Sequence, residues 1–235
     1  MSRRVRRWAI VAAAGRGERF GGRRPKQYAP LLGHPMLSWT LRALLGEPAI
    51  DGIMVAIAHD DRRFARLPEA GDSRVRSCAG GARRELSVAG ALRALEPELR
   101  DHDWVLVHDA ARPCLQRVDL RGLFAGVDDD AVGGLLAVPL GDTLKAASED
   151  GRCERTVPRE GLWRALTPQM FRYGVLRRAL SLCLDRERSV TDESAAVELL
   201  GLRPRLISGR SDNLKVTRPE DLTLAAAVLQ AAGLR

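Results

Sequence analysis

Lysine is scarce in this sequence. Of 38 basic residues only Lys26, Lys145 and Lys215 are lysine, so arginine is the default cation. Arginine presents a planar fork, whereas lysine is a compact point charge able to sit against a single phosphate oxygen. Each lysine is therefore either a chance survivor or a place where the fork will not do. Aromatic residues make up only 4% of the chain, which leaves little for a base-stacking platform. Set beside a net charge of +8 and a pI near 10.1, this favours a small polyphosphate drawn into a basic cleft over nucleic acid. No apolar run is long enough to span a bilayer, although 45% hydrophobic residues can bury a substantial core. The cysteines Cys78, Cys114, Cys153 and Cys183 lack the close spacing of metal-ligand pairs. They read as reduced cysteines of a cytoplasmic protein, packing as small hydrophobes.

Two familiar phosphate loops are missing as well. No Gly-Lys-Ser/Thr follows Gly15, as a Walker A loop requires. Phe20 stands where the dinucleotide fingerprint needs a small residue, and Glu18 would crowd a pyrophosphate. What is present is Ala12-Ala13-Ala14-Gly15-Arg16-Gly17-Glu18-Arg19, leaving the apolar run Trp8–Val11 and followed by Pro25-Lys26-Gln27. Small residues let backbone approach a ligand, successive N–H groups can face an anion, and Arg16, Arg19 and Lys26 add charge. The segment reads either as a polyphosphate cradle or as a plain strand-to-loop turn. Arg3, Arg4, Arg6 and Arg7 precede it as a solvated basic tail, without the cleavage-site logic of a signal peptide.

Further strands are expected over 52–58, 74–78, 104–108 and 131–139, and helices over 37–45, 84–95, 173–186, 192–200 and 219–229. Apolar strands alternating with helices predict an α/β fold, a three-layer, mostly parallel twisted sheet covered on both faces. Ligands in such sheets bind beyond the C-terminal strand ends. Between 140 and 160 the texture turns polar, and Thr143–Lys145 and Arg155–Val157 predict a protruding β-arm. Such an arm packs most simply on a second subunit. The expected organisation is one domain, 1–235, carrying that arm.

His108-Asp109-Ala110-Ala111-Arg112-Pro113 follows an apolar strand. A carboxylate there can serve Mg²⁺, which takes one or two carboxylates plus phosphate oxygens, or can simply pair with Arg112. His108 reads as a packing or hydrogen-bonding residue. Gly80–Ser87 joins a strand to a helix whose N-terminus can meet a base edge or phosphate, or is only a turn. Asp212 is a candidate second metal carboxylate, and Lys215 a phosphate contact. Thr191-Asp192-Glu193-Ser194 reads as a helix cap with Thr191 as the capping residue, and Thr167-Pro168-Gln169 as a turn.

In order, these segments resemble the 2-C-methyl-D-erythritol 4-phosphate cytidylyltransferases of non-mevalonate isoprenoid synthesis. The matching stretches are Ala13-Ala14-Gly15-x-Gly17-x-Arg19, Pro25-Lys26-Gln27-Tyr28, His108–Pro113, Ala165-Leu166-Thr167-Pro168-Gln169, Thr191-Asp192-Glu193 and Asp212-Asn213-Leu214-Lys215-Val216-Thr217. The first loop occurs across many nucleotidyltransferases; the ordered set, spanning about residues 8 to 225, is specific.

The resemblance implies a Rossmann-like nucleotidyltransferase fold and attack of a sugar-alcohol phosphate on the α-phosphorus of CTP, with Mg²⁺ or alternatively Mn²⁺. By position, Arg19 and Lys26 would stabilise the transition state, and Lys215 would orient the attacking phosphate. Arg159 and Thr143, on the arm, would hold the sugar phosphate in the partner's site of a homodimer. Asp109 would serve the metal and the substrate hydroxyls with Arg112, Thr167 and Thr191. Ala13, Ala14, Gly15, Gly17, Gly81, Arg84, Ser87 and Ala110 would surround the nucleotide. Ala82 stands where an acidic residue is frequent, removing any side-chain contact there. The stretch Gly21-Gly22-Arg23-Arg24 either grips the triphosphate or is mobile. With the last residue at Arg235, the expectation is the form not fused to a later synthase. The rivals are a ribitol 5-phosphate cytidylyltransferase, a catalytically silent nucleotide-binding regulator and a nucleic-acid binder.

Overall fold

The computed structural model describes residues 3–15, 17, 20 and 25–234. Strand β1 (Arg7–Ala13) leads through the two-residue strands β2 (Pro30–Leu31) and β3 (His34–Pro35) to helix α1 (Met36–Leu45). Next come β4 (Gly52–Ile57), β5 (Val75–Ala79), α2 (Arg84–Leu95), β6 (Trp104–Asp109), α3 (Arg117–Val127) and β7 (Gly133–Pro139). The hairpin β8 (Leu144–Ala147) and β9 (Cys153–Val157) precedes β10 (Trp163–Arg172), α4 (Tyr173–Asp185), α5 (Glu193–Glu198), β11 (Arg205–Ser208) and α6 (Asp221–Ala231).

Seven strands form one sheet in the order β11-β7-β10-β6-β1-β4-β5. All pairings are parallel except those of β10, which runs antiparallel to both β6 and β7. Alternating side chains of β1 explain the layers. Ala9 and Val11 join Leu37, Leu41, Leu120 and Leu123 of α1 and α3 on one face. Trp8 and Ile10 join Val88, Leu92, Leu176 and Leu180 of α2 and α4 on the other. Helix α6 covers a third apolar cluster containing Ala111, Cys114 and Val216, so it closes over the segment that carries Lys215. The hairpin β8–β9 is a separate two-stranded sheet, as the polar texture of 140–160 predicts. Among the described residues, no helix is long and apolar enough to cross a membrane.

Several expectations need correction. Thr167-Pro168-Gln169 is not a turn but lies inside β10, in the central sheet. Pro168 has no N–H to give a ladder, and it sits where pairing with β7 shifts register between Ala165 and Gln169. Helix α3 adds to the expected elements; its sequence signal is the capping box between Gln116 and Asp119. Edge strand β11 is a further addition, four residues long and mostly exposed, so it shows no apolar run. The cap of α5 is Asp192, whose Oδ1 accepts from the Ala195 N–H at 2.9 Å, rather than Thr191. The basic N-terminal tail is tied down: Arg3 Nη2 donates to Glu98 O at 2.7 Å and to Asp103 Oδ2 at 3.1 Å, and Arg4 pairs with Asp51.

Candidate active site

A cleft of about 310 Å³ opens at the C-terminal ends of β1 and β6. The first loop contributes Ala13, Ala14, Gly15 and Gly17, followed by Lys26. The turn into α2 contributes Gly81, Arg84 and Ser87, together with Ala82 and Arg83, and Asp109, Ala110 and Lys215 also line the cleft. The sequence reading assigns Asp109 to the metal and the substrate hydroxyls and, apart from Ala82 and Arg83, the others to the nucleotide or the reacting phosphates, and the fold brings them together. Arg19 and Gly21–Arg24 lie outside the described residues.

Glycine is required in two places. Gly17 has φ of +70°, and a Cβ there would lie 2.8 Å from Lys26 Cγ, so the lysine stem packs directly on the loop. At Gly80 a Cβ would lie 2.4 Å from that of Ala14, so the first loop and the α2 turn approach through this glycine. Two contacts without a sequence signal, the first of them buried, brace the loops. Gln27 Nε2 donates to Ala13 O at 2.7 Å, and the Gly81 N–H donates to Ser87 Oγ at 3.0 Å. Lys26 Nζ donates to Val216 O at 3.1 Å, joining the first loop to the Lys215 segment.

Charge in the cleft is organised around Asp109. Its Oδ2 lies 2.7 Å from Lys215 Nζ and 3.9 Å from Arg112 Nε, while its Oδ1 accepts from Arg84 Nε at 3.0 Å. Burial pushes the Asp109 carboxyl up, but Arg84, Lys215 and Arg112 outweigh it and hold the group well below the usual carboxylate range. Arg84 in turn donates from Nη1 to Glu193 Oε1 at 2.6 Å. Burial opposes the Arg84 charge, and the two carboxylates more than restore it, so its pKa is raised.

Beneath Asp109 runs a closed hydrogen-bond circuit. The Asp109 N–H donates to Thr167 Oγ1 at 3.2 Å, and this hydroxyl donates to His108 Nδ1 at 2.9 Å. His108 Nε2–H donates to Arg112 O at 3.1 Å, and Arg112 Nη1 donates to Asn213 O at 2.7 Å. Asn213 Nδ2 donates back to Thr167 O at 2.8 Å. A carbonyl only accepts, so Nε2 carries the proton and His108 is the neutral tautomer with Nδ1 accepting. Burial, only partly countered by Asp109, lowers its pKa to about 4. His108 therefore positions the loop, as its sequence context predicts. The circuit pulls together β6, β10 and residues 213–216, three segments far apart in sequence, which is why Asn213 carried no local signal.

The remaining candidates stand apart from the cleft lining. Thr167 and Arg112 are buried behind Asp109, and Thr191 is exposed before α5. Thr143 and Arg159 are exposed at the arm, where Arg159 Nη1 donates to Gly141 O. Asp212 does not join Asp109; its carboxylate is held by Arg210, with Nε donating to Oδ1 at 2.9 Å. Among the described residues no group of three or more His, Cys, Asp or Glu side chains could hold a metal ion. Asp109 is the carboxylate among the described residues lining the cleft, and Mg²⁺ requires only one or two carboxylates beside ligand phosphates, so the chemistry of the cleft is compatible with that ion.

Comparison with known proteins points to one family. The family model described as IspD, 2-C-methyl-D-erythritol 4-phosphate cytidylyltransferase, matches residues 8–231. The protein of that name from Dechloromonas aromatica (strain RCB) is 52% identical over 228 residues, covering 96% of this chain and 98% of its own. That of Pseudomonas putida (strain GB-1) is 53% identical over 216 residues, 92% of each chain. The crystal structure of a 4-diphosphocytidyl-2C-methyl-D-erythritol synthase superposes with a TM-score of 0.85 at 35% identity, covering 96% of this chain and 99% of the other. The Francisella tularensis 2-C-methyl-D-erythritol 4-phosphate cytidylyltransferase gives 0.83 at 32%, covering 95% and 100%.

Proposed function

The chain belongs to the 2-C-methyl-D-erythritol 4-phosphate cytidylyltransferase family, and we propose that the cleft around Asp109 is where it performs that chemistry. It is a CTP-dependent cytidylyltransferase of isoprenoid precursor synthesis. The reaction joins the cytidylyl group of CTP to 2-C-methyl-D-erythritol 4-phosphate, giving 4-diphosphocytidyl-2-C-methyl-D-erythritol and pyrophosphate. The observation that carries the assignment of the cleft is the Asp109 carboxylate held among Arg84, Arg112 and Lys215, facing a glycine loop.

The acceptor phosphate is already an anionic nucleophile near neutral pH, so no strong general base is needed. The protein's work is to align the attacking oxygen with the leaving pyrophosphate and to neutralise charge building at phosphorus. In this reading Lys26 lies against the triphosphate, with its stem fixed by Gly17 and its head near Val216. Lys215 receives the acceptor phosphate; its present partner Asp109 keeps it extended into the cleft. The α2 turn, with Gly81, Arg84 and Ser87, takes the cytidine and its phosphates. Arg19 adds a second transition-state cation, a role that rests on the family resemblance. Asp109 is the protein donor for Mg²⁺ or Mn²⁺, which when bound neutralises triphosphate charge. Thr167 and Arg112 set the position of Asp109 and the substrate hydroxyls, and Thr191 borders the acceptor.

The arm acts in trans in the same proposal. Arg159 and Thr143 are exposed and do not line their own chain's cleft, while Leu162 and Trp163 at its base are 40% and 36% exposed. A homodimer in which each arm completes the partner's acceptor pocket would use all four. A cytoplasmic setting, without nucleic acid, completes the reading.

The test is pyrophosphate release with CTP and Mg²⁺, with methylerythritol phosphate and ribitol 5-phosphate supplied in parallel. Release with the first alone is expected. Release with ribitol 5-phosphate alone, or with neither beside clear CTP binding, overturns the assignment.

A further inference from the structure

We propose that Glu193 is a positioning residue for nucleotidyl transfer: its buried carboxylate anchors Arg84, and through Arg84 it fixes how Asp109 faces the cleft. The proposal rests on the placement of the reaction in this cleft. The side chain of Glu193 is 1% exposed, so it cannot itself be the face that a substrate meets. Among the described residues its hydrogen-bond partner is Arg84, at 2.6 Å, and Arg84 spans from it to Asp109 at 3.0 Å. One guanidinium thus bridges two carboxylates carried by different elements, the start of α5 and the end of β6. Arg84 lines the cleft, whereas Glu193 does not.

The post that carries Glu193 is rigid. Asp192 caps α5, and its Oδ2 accepts from Gln169 Nε2 at 2.8 Å, while Gln169 Oε1 accepts from the Ser194 N–H at 2.8 Å. The helix start is therefore fastened to β10, the strand that also carries Thr167. Arg84 occupies the first position of α2, where the helix dipole disfavours a cation. A fixed counter-charge is what keeps it there.

A role in stability alone explains this arrangement poorly. A buried ion pair is weak evidence for stability, since desolvation offsets much of its attraction. The pairing is also incomplete, because Glu193 Oε2 and Arg84 Nη2 are buried without hydrogen-bond partners. What the geometry does achieve is to keep the Arg84 fork from closing as a pair onto Asp109. With Glu193 neutral, Asp109 becomes the only full charge drawing on the fork. Rotation towards it would turn Asp109 away from Lys215, the residue assigned to the attacking phosphate.

Glu193→Gln preserves shape and an acceptor for Arg84 Nη1, so it should fold. It is to be measured beside Arg84→Gln and the double variant, with kcat, both KM values, CTP affinity by calorimetry and the thermal midpoint. Wild-type turnover in the same assay tests the underlying reading separately. A misplacement near 1 Å lowers rate by about a hundredfold, so kcat of Glu193→Gln should fall on that order. CTP affinity, to which Arg84 contributes, should fall by less than kcat does, and the protein should remain fully folded at the assay temperature. The double variant should be no slower than Arg84→Gln, because Glu193 acts through Arg84. Wild-type kinetics in Glu193→Gln, losses that multiply in the double variant, or a loss matched by a smaller folded fraction would each overturn the proposal.

Discussion

Replacing Thr167 by valine keeps its shape and removes only the hydroxyl that joins Asp109 to His108. Thr167 is 4% exposed, so water cannot take the place of the lost group without rearrangement. Two buried polar groups then lose their partner: the Asp109 N–H at 3.2 Å and His108 Nδ1 at 2.9 Å. An unsatisfied buried donor or acceptor costs about 1–3 kcal/mol, and the longer of these bonds belongs at the low end of that range. Together they predict a loss of about 2–5 kcal/mol in unfolding free energy. Urea unfolding reads this as a lowered midpoint at unchanged slope. Thr167→Ser, which keeps the hydroxyl and loses one methyl, should cost only about 1 kcal/mol. If valine and wild type differ by less than about 0.5 kcal/mol, the circuit beneath Asp109 is not holding the loop. Equal losses for valine and serine would point to the methyl instead, and would refute the argument as surely.

Acid should expose His108. Its folded pKa of about 4 lies below the ordinary value, so the unfolded chain takes up the proton first. Its contribution is complete above about pH 6.5 and is lost as pH falls towards 4, to the extent of about 3 kcal/mol. Unfolding free energies between pH 7 and 4.5 should show that slope in wild type and lose it in His108→Gln; an unchanged slope removes His108 as its source. Gly17→Ala should slow turnover about tenfold, because left-handed backbone and a Cβ 2.8 Å from Lys26 Cγ must both be accommodated. Wild-type kcat in that variant would show that Lys26 does not depend on the loop. Mixing Arg159→Ala and Lys26→Ala subunits should restore about a quarter of wild-type sites if the arm serves the partner. Activity that stays at the level of the separate variants would place the arm in its own chain's site.

What the sequence revealed tracks how local each signal is. Apolar runs sufficed for β1, β4 and β6, and period 3.6 for α2, where expected and observed limits coincide at Arg84 and Leu95. The cleft was legible because its residues sit at the ends of these elements, in the glycine-bearing turns that follow. Strand β10 was hidden by Pro168, which reads as a stop unless the register shift is known. Thr191 and Asp192 are both good caps, and only tertiary contact with Gln169 chooses between them. Glu193 looked like an ordinary acid in a first helical turn. Its partner is Arg84, more than a hundred residues away, and nothing in either segment names the other. Asp212 shows the opposite limit: two residues from it, Arg210 pairs with the carboxylate that the sequence offers to a metal, a contact that local sequence does not announce.

In the proposed reaction the acceptor phosphate attacks CTP directly. His108, the side chain near the cleft most suited to carry a nucleotidyl group, has both ring nitrogens engaged and is fully buried. The stereochemical course with a single diastereomer of α-thio-CTP tests this most directly. One in-line displacement predicts inversion at the α-phosphorus. Retention would require two displacements through a covalent nucleotidyl-enzyme, and would contradict the account.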